Sequence, residues 1–262
     1  MSGVLPIALE DSVKIISVMT HTVKEYIALM ELHSNVSENK LREIVEMFVG
    51  DIYQRPPLRS SVKRSLRIRK IHEIEILDHV ERWVLMRVKT DPGTYIRKLI
   101  HDIGLLLGVG AHMRELRRIK TGIFTEDLNM ITLHQLSEAV YLYNEEKDET
   151  LLRKYVMPIE YGVAHLPKIF INTYAVDPVS RGAQLAVPGV LMFDKNIRRG
   201  DLIAIFTPKS ELVAIARAEM NSEEILSRDK GIVSTTLRVI MKPGVYPRWT
   251  RKISDEKAAA GI

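Results

Sequence analysis

The texture of the sequence changes once along the chain, close to Pro158–Pro167. Before this point, segments with helical spacing of apolar residues alternate with extended segments; after it, short β-forming runs are separated by Gly and Pro. Such a change predicts two domains of different architecture, for which 262 residues are sufficient. We expect an α+β domain over 1–160, a small β-barrel over 167–247 and a flexible tail over 248–262.

Residue patterns predict individual elements within both parts. Residues 17–32 are predicted to be extended because apolar and β-forming residues partly alternate there. A helix is predicted after Ser37 as its N-cap, with Gly50 as its C-cap. The other predicted elements are strands over 67–77 and 83–89, a helix from near Thr94, a helix after the Thr132–Gln135 capping box, and strands over 168–172, 202–207, 212–218 and 231–239.

Composition excludes several classes of protein. There is no Cys, and the eight His show no HxxxH or HExxH pairing, so we expect neither a disulfide framework, nor a thiolate nucleophile, nor a metal site. No apolar run approaches the roughly 18 residues of a membrane span, and the first residues lack the pattern of a signal peptide. We therefore expect a cytoplasmic protein that does not bind membranes.

Positive charge is clustered, although the formal net charge is only +5. Residues 52–70 contain seven basic side chains and no acidic one, and residues 114–120 contain four with only Glu115 against them. Such clusters are typical of a face that binds a phosphate backbone, although they also occur as solvated surface. The predicted RNA contacts in these clusters are Arg55, Arg59, Lys63, Arg64, Arg67, Arg114, Arg117 and Arg118.

Four segments in order carry a family resemblance: SGVLPIALE, KEYIALMELH, QRPPLRSSVKR and GTYIRKLIHDIGLLLGVGAHMRELRRIKTG, the last thirty residues long. They resemble the archaeal form of the TruB/dyskerin family of pseudouridine synthases, which implies a catalytic domain with a mixed, largely antiparallel sheet. The stretches RGAQLAVPGV, IRRGDLIAI and ELVAIARA resemble a PUA domain, a small RNA-binding β-barrel, with Ala216 where such domains usually have Gly. This second resemblance implies an RNA contact at Arg181 and Gly182.

The resemblance implies a role for four residues in a pocket that receives a flipped uridine. Tyr26 would stack on the base, Leu116 would pack against it, Arg97 would pair with the catalytic Asp, and Tyr95 would be a general acid/base or positioning group. The isomerisation implies no cofactor.

Each of these residues also has an ordinary structural interpretation. Tyr26 and Leu116 would be core residues, and Arg97 would lie at the surface, paired with Asp102 or Glu115. The histidines His101 and His112 would be hydrogen-bonded structural residues.

One departure from the family concerns the catalytic carboxylate. In the family the segment SGVLPIALE follows a GTLDP loop that supplies the nucleophilic Asp, and the sequence contains no GTLDP. We expect that Met1 is not the biological start and that these 262 residues alone form no pseudouridine. Asp91, in an Asp-Pro turn, is the first alternative carboxylate, although a turn is its ordinary explanation.

Two classes of function remain open at this point. The first is an enzyme that modifies the T-loop uridine of tRNA and, under H/ACA guide RNA, uridines of rRNA. The implied partners are then these RNAs, a small zinc-ribbon protein and a small β-barrel protein. The second is a non-catalytic RNA-binding protein; the basic clusters argue against a third, purely structural role.

Overall fold

The computed structural model describes residues 2–56, 62–128 and 130–248. They form two compact units that divide after Met157. One short segment near the N-terminus, Ala8–Ile16, belongs to the second unit and not, as predicted, to the first. Its 3-10 turn Glu10–Ile15 contacts the turn Ile159–Val163, and the Arg238 guanidinium donates to its Lys14 carbonyl at 3.3 Å. Contacts between residues so far apart along the chain leave no local pattern in the sequence from which they could be predicted.

Most of the first unit is one sheet with helices packed on it. Its strands are β1 (Ser2–Gly3), β2 (Lys24–Leu32), β3 (Gly50–Gln54), β4 (Arg67–Val80), β5 (Trp83–Thr90), β6 (Ala111–Thr121) and β7 (Phe124–Thr125). The helices in this part of the chain are α1 (Ile16–Thr20), α2 (Glu38–Glu46), α3 (Ile96–Leu107), α4 (Leu133–Glu146) and α5 (Thr150–Tyr155). The strand order is β1-β6-β2-β5-β4-β3, with β7 beside β6; β1 is parallel to β6 and the other pairs are antiparallel. The sheet is therefore mixed and largely antiparallel, as predicted.

Helix α3 covers one face of this sheet. Its apolar side chains at helical spacing are no more than 3% exposed, which confirms the predicted face: Ile96, Leu99, Ile100, Ile103 and Leu107. They pack against alternate residues of β2 and β5, including Met30 and Met86. The helix ends at Gly108, whose φ of 78° is the left-handed cap that Gly adopts readily.

Several local predictions need correction. Residues 17–32 are not continuously extended, because α1 occupies their start and the strand begins at Lys24. Helix α2 follows Ser37 as predicted, but it ends at Glu46, and Gly50 is the first residue of β3. Strand β6 was not predicted, and Leu116, at helical spacing from Met113, lies in it; sheet pairing with β2 overrides that spacing. The predicted capping box before α4 is confirmed, with both reciprocal bonds present.

The second unit is a six-stranded sheet with two short helices. Its elements are β8 (Lys168–Ile171), α6 (Thr173–Ser180), β9 (Leu185–Ala186), β10 (Val190–Phe193), β11 (Leu202–Phe206), β12 (Leu212–Ala218), α7 (Ser222–Ser227) and β13 (Ile232–Val239). The strand order is β10-β8-β11-β12-β13-β9, in which only β8 and β11 are parallel. The four predicted strands are present within one or two residues of their expected ends, whereas α6 and α7 were not predicted.

The helices of the second unit begin at side-chain caps. Asn172 accepts from the Ala175 amide at the start of α6, and Asn221 forms a capping box with Glu224 at the start of α7. The predicted tail beyond Arg248 lies outside the described residues. No helix in the part of the chain that the structure describes is long and apolar enough to cross a membrane.

Candidate active site

Tyr26 lies in the middle of the first unit's sheet. It stands on β2 between Val88 of β5 and Arg118 of β6, and its ring packs against the core cluster that includes Ile96 and Leu116. Burial raises the pKa of the Tyr26 phenol, and a hydrogen bond from Arg118 acts in the opposite direction. The ring is thus half-buried at the edge of an apolar core, with its hydroxyl tied to a cation.

Arg118 joins this tyrosine to the N-terminal strand. Its Nε donates to the Val4 carbonyl at 2.7 Å, and the Val4 amide donates to the Arg118 carbonyl at 2.7 Å. A Cβ on Gly3 would lie 2.1 Å from that same Arg118 carbonyl oxygen, so only Gly allows the approach. Arg118, predicted as an RNA contact from charge alone, is therefore a half-buried residue of the site.

Leu116 is a core residue on the same face of the sheet as Tyr26. It pairs with Ala28, two residues after Tyr26 on β2, and is only 9% exposed. Because side chains of a strand alternate between the two faces, Tyr26, Ala28 and Leu116 all point towards α3. Leu116 is therefore a core residue, as its structural interpretation predicted. Its position beside Tyr26 is also compatible with packing against the base, the role that the resemblance implies.

Tyr95 is the residue that precedes α3. Its backbone amide donates to the Gln54 Oε1 at 2.9 Å, and its carbonyl accepts from the Gln54 Nε2 at 3.2 Å. Gln54 is only 2% exposed. It is the first residue of QRPPLRSSVKR, one of the segments that carry the resemblance, but no role was predicted for it. The turn before Tyr95 is closed by the Thr94 hydroxyl, which donates to the Asp91 carbonyl at 2.9 Å.

Arg97 is exposed in the first turn of α3. The structural interpretation offered Asp102 or Glu115 as partners of Arg97, and neither is one. Asp102 forms an ion pair with Lys98, and Glu115 is exposed without an ion pair among the described residues. The Arg97 side chain forms no hydrogen bond or ion pair with a described residue. Its guanidinium is therefore available to an external carboxylate or phosphate.

Three acidic side chains on the elements that form the site already have partners. Asp91 lies 2.8 Å from the His72 ring, Glu25 lies 3.5 Å from Lys120, and Glu31 is held by Arg114 at the opposite end of β2. Glu25 and Glu31 also point away from Tyr26, because they occupy odd positions of the strand. Within residues 2–56, 62–128 and 130–248 no cluster of three or more His, Cys, Asp or Glu could hold a metal ion.

A run of basic residues without carboxylate partners begins beside this site. We call Arg55–Lys70 the basic segment; Arg59 lies outside the described residues, and the other basic members form no ion pair with a described acid. Their contacts are with backbone carbonyls: Arg64 donates to Pro56 and Arg67 to Lys63, both at 3.2 Å. The segment starts next to Gln54, which is hydrogen-bonded to Tyr95, so the start of the segment lies close to Tyr95 in space.

The second basic cluster, on β6, is different because its charges are compensated. Arg114 contacts the buried carboxylate of Glu31 and lies 6.0 Å from the Trp83 ring centre, and Arg117 lies 2.6 Å from Glu126. Arg114 lowers the pKa of Glu31 through a hydrogen bond and its charge. As expected for a structural residue, the His112 ring contacts Glu31 at 3.2 Å.

In the second unit, Arg181 and Gly182 border a surface cleft of about 490 Å³ that Arg248 also lines. Arg181 forms two hydrogen bonds with the buried Asp177, at 3.0 and 3.1 Å, and lowers the pKa of that carboxyl group. Gly182 has a φ of 90° after α6, and a Cβ there would meet no atom within 4 Å. The positive φ at position 182, and not crowding by neighbouring atoms, therefore explains why Gly is favoured there.

Comparisons with protein families agree with the two-unit architecture. The description "tRNA pseudouridylate synthase B C-terminal domain" matches residues 97–164, "PUA domain" matches residues 167–240, and "Pus10, C-terminal" matches residues 3–105. Together these three matches cover most of both units.

Individual relatives are similar over nearly the whole chain. A protein of Saccharolobus solfataricus named probable tRNA pseudouridine synthase B is 50% identical over 95% of this chain and 98% of its own length. Its namesake in Pyrococcus furiosus is 49% identical over 96% of this chain and 74% of its own length.

Two solved structures share this fold. A Cbf5-Nop10-Gar1 complex contains a chain that is 49% identical, with a TM-score of 0.89, over 94% of this chain and 75% of that chain. An H/ACA RNP bound to a substrate RNA containing 2'-deoxyuridine contains one that is 46% identical, with a TM-score of 0.88, over the same shares of the two chains.

Proposed function

The chain belongs to the TruB/Cbf5 family of pseudouridine synthases, and from this we propose that it acts on the T-loop uridine of tRNA and, with an H/ACA guide RNA, on rRNA. The observation that carries the proposal is the position of Tyr26. Its half-buried ring borders a core with Leu116, on the sheet face that faces α3, while basic residues without acidic partners begin next to the helix start. An aromatic ring for the base and free cations for the backbone are what binding of a flipped nucleotide needs.

The reaction balances without a cofactor. The C1′–N1 bond of uridine breaks, a C1′–C5 bond forms, the proton leaves C5, and a proton ends on N1. In our proposal Tyr26 stacks on the uracil, Leu116 packs against its edge, and Tyr95 positions the base or transfers a proton. Arg97 orients the catalytic carboxylate and keeps it ionised, because a guanidinium beside a carboxyl group lowers its pKa.

The source of that carboxylate distinguishes the enzyme from the second candidate function. Two described acids near the site, Asp91 and Glu25, are paired, and the sequence has no GTLDP. We therefore propose that these 262 residues alone bind RNA but form no pseudouridine, and that a GTLDP-bearing segment restores the reaction. A non-catalytic RNA-binding protein is the alternative.

The descriptions of the solved relatives support a proposal about partners. The solved relatives are described in complexes with Nop10 and Gar1 and in an H/ACA RNP. We propose that this chain has the corresponding partners, namely a guide RNA, a small zinc-ribbon protein and a small β-barrel protein, and that it works in the cytoplasm. In the second unit, we propose that Arg181 and Gly182 contact RNA at the cleft that they border.

The test is pseudouridine formation measured by mass spectrometry on a tRNA T-loop transcript and on a guide–rRNA pair. We expect none from the 262 residues alone, and turnover when the GTLDP-bearing segment is joined to the chain. Arg97→Ala in the joined protein should lower turnover by about a hundredfold or more. Turnover by the chain alone would contradict the proposal, and Asp91→Asn would then be tested first. RNA binding without turnover in the joined protein would favour the non-catalytic alternative.

A further inference from the structure

We propose that Gln54 is a positioning residue, which fixes the backbone at Tyr95 and couples the uridine pocket to the basic segment. The inference rests on the proposed function, because that function defines the pocket. Gln54 ends β3 and is 2% exposed, and its carboxamide contacts both polar groups of a residue 41 positions away, at 2.9 and 3.2 Å.

The start of α3 depends on this contact because it has no local cap. Tyr95 occupies the N-cap position, but its side chain cannot accept a hydrogen bond from the first turn as Ser, Thr, Asp or Asn would. Helix α4 shows the usual arrangement, with Thr132 and Gln135 capping each other within one turn. At α3 the bond to the N-cap amide comes from the sheet, because the Gln54 Oε1 accepts from the Tyr95 amide as the Gln135 Oε1 accepts from the Thr132 amide at α4. The end of β3 is thereby tied to the helix start.

Gln54 also lies beside two residues of the basic segment. Arg55 follows it directly, and Arg67 is its cross-strand partner on β4. An RNA backbone held by the segment is therefore linked through one buried side chain to Tyr95 and to Arg97, which lies two residues further on in the first turn of α3. A shift of about 1 Å in reacting groups can cost about a hundredfold in rate, so such a link has consequences for catalysis.

The chemistry of a carboxamide makes the proposal testable by isosteric substitution. Gln54→Met removes both hydrogen bonds at nearly constant volume. Gln54→Glu keeps the acceptor for the Tyr95 amide but, when ionised, offers no donor to the Tyr95 carbonyl; the protonated acid does. Burial raises the pKa of a carboxyl group at this position, and the neighbouring Arg67 lowers it. Acid should protonate the Glu side chain and so reverse the defect of Gln54→Glu, whereas the defect of Gln54→Met should remain.

The experiment uses the 262-residue chain and a T-loop RNA with a fluorescent uridine analogue at the target position. Anisotropy reports RNA affinity, quenching reports stacking of the base, and amide hydrogen exchange reports the Tyr95 N–H. At about pH 8 we expect both variants to bind RNA within about threefold of wild type, with quenching lowered about tenfold and faster Tyr95 exchange. At about pH 5, Gln54→Glu should approach the quenching and Tyr95 exchange of wild type measured at that pH, while Gln54→Met should not. The control Gln135→Glu, an exposed capping-box residue, should change none of these.

Unchanged quenching in both Gln54 variants, with wild-type quenching intact, would overturn the inference and leave the proposed function standing. Loss of affinity and quenching together, in proportion to the unfolded fraction, would show that Gln54 only stabilises the fold, and would also overturn it. If wild type binds the RNA without quenching, the proposed pocket itself fails.

Discussion

The two basic clusters of the first unit look alike in sequence and differ in the fold. In the basic segment, the described cations contact backbone carbonyls or solvent. On β6, by contrast, Arg114, Arg117 and Lys120 each have a carboxylate within 4 Å. The acids come from β2 and from the residues after β7, which the sheet brings beside β6. A count of charges along a chain therefore overestimates the charge available to RNA wherever strand pairing supplies acids.

The largest expected effect comes from reversing the free charges. Lys63→Glu, Arg64→Glu and Arg67→Glu together should weaken RNA binding by about a hundredfold at about 0.1 M salt, because phosphate contacts are replaced by repulsion. The slope of log affinity against log salt should flatten by about 2 to 3, since fewer counterions are released. Titrations at several salt concentrations measure both quantities. Equal affinity and slope in the variant would remove the basic segment from the interface.

A smaller effect in the opposite direction is expected from releasing a paired charge. Glu126→Gln leaves Arg117 without its carboxylate, so RNA affinity should rise by about threefold and the salt slope should steepen by up to about 1. The same titrations measure this change. The double variant Glu126→Gln with Arg117→Gln is the control and should return to wild-type affinity. A rise that persists in the double variant would have another cause than Arg117.

Removal of a paired cation should leave RNA binding nearly unchanged. Arg114→Gln is expected to alter affinity by less than about twofold, because its charge is already neutralised by Glu31. Thermal unfolding should instead show a less stable protein, since Glu31 loses its main partner in a site that is only 7% exposed. A large loss of affinity with unchanged stability would assign Arg114 to the RNA interface after all.

The same pair predicts a pH dependence with a definite sign. Arg114 lowers the pKa of Glu31 in the folded state. The contribution of this pair to folding stability is therefore present above the ordinary pKa of the carboxyl group, and it is lost as pH falls through the lowered pKa of the folded state. The difference in unfolding temperature between wild type and Arg114→Gln should therefore shrink below about pH 4. Melting curves between about pH 7 and about pH 3 test this. A difference that stays constant over this range would mean that Glu31 ionisation is not involved.

Elements with strong local signals were predictable from the sequence. The apolar face of α3, the capping box before α4 and strands β4 and β5 all rest on residues within one element, so neighbours along the chain carry the information. Strand β6 was missed because its residues carry no strict alternation; its pairing with β2 shifts register twice. Helix α1 was missed because five residues are too few for a periodic pattern.

The site divides in the same way. Recognisable motifs pointed to Tyr26, Tyr95, Arg97 and Leu116 before any fold was known, and motif resemblance needs only the order of residues. Strand register decided the rest: it placed Arg118 against Tyr26 and Val4, and it set acids beside Arg114 and Arg117.

By itself, the sequence determined the family and the two-unit architecture, and it predicted the pocket residues, because these depend on local pattern and on motifs. Only the tertiary structure decided which cations are free and which are paired, and that Gln54 is hydrogen-bonded to the residue before α3. The physical reason is distance along the chain. A hydrogen bond across 41 residues, or an ion pair across 83, is set by the packing of strands and helices, and no local stretch of sequence encodes it.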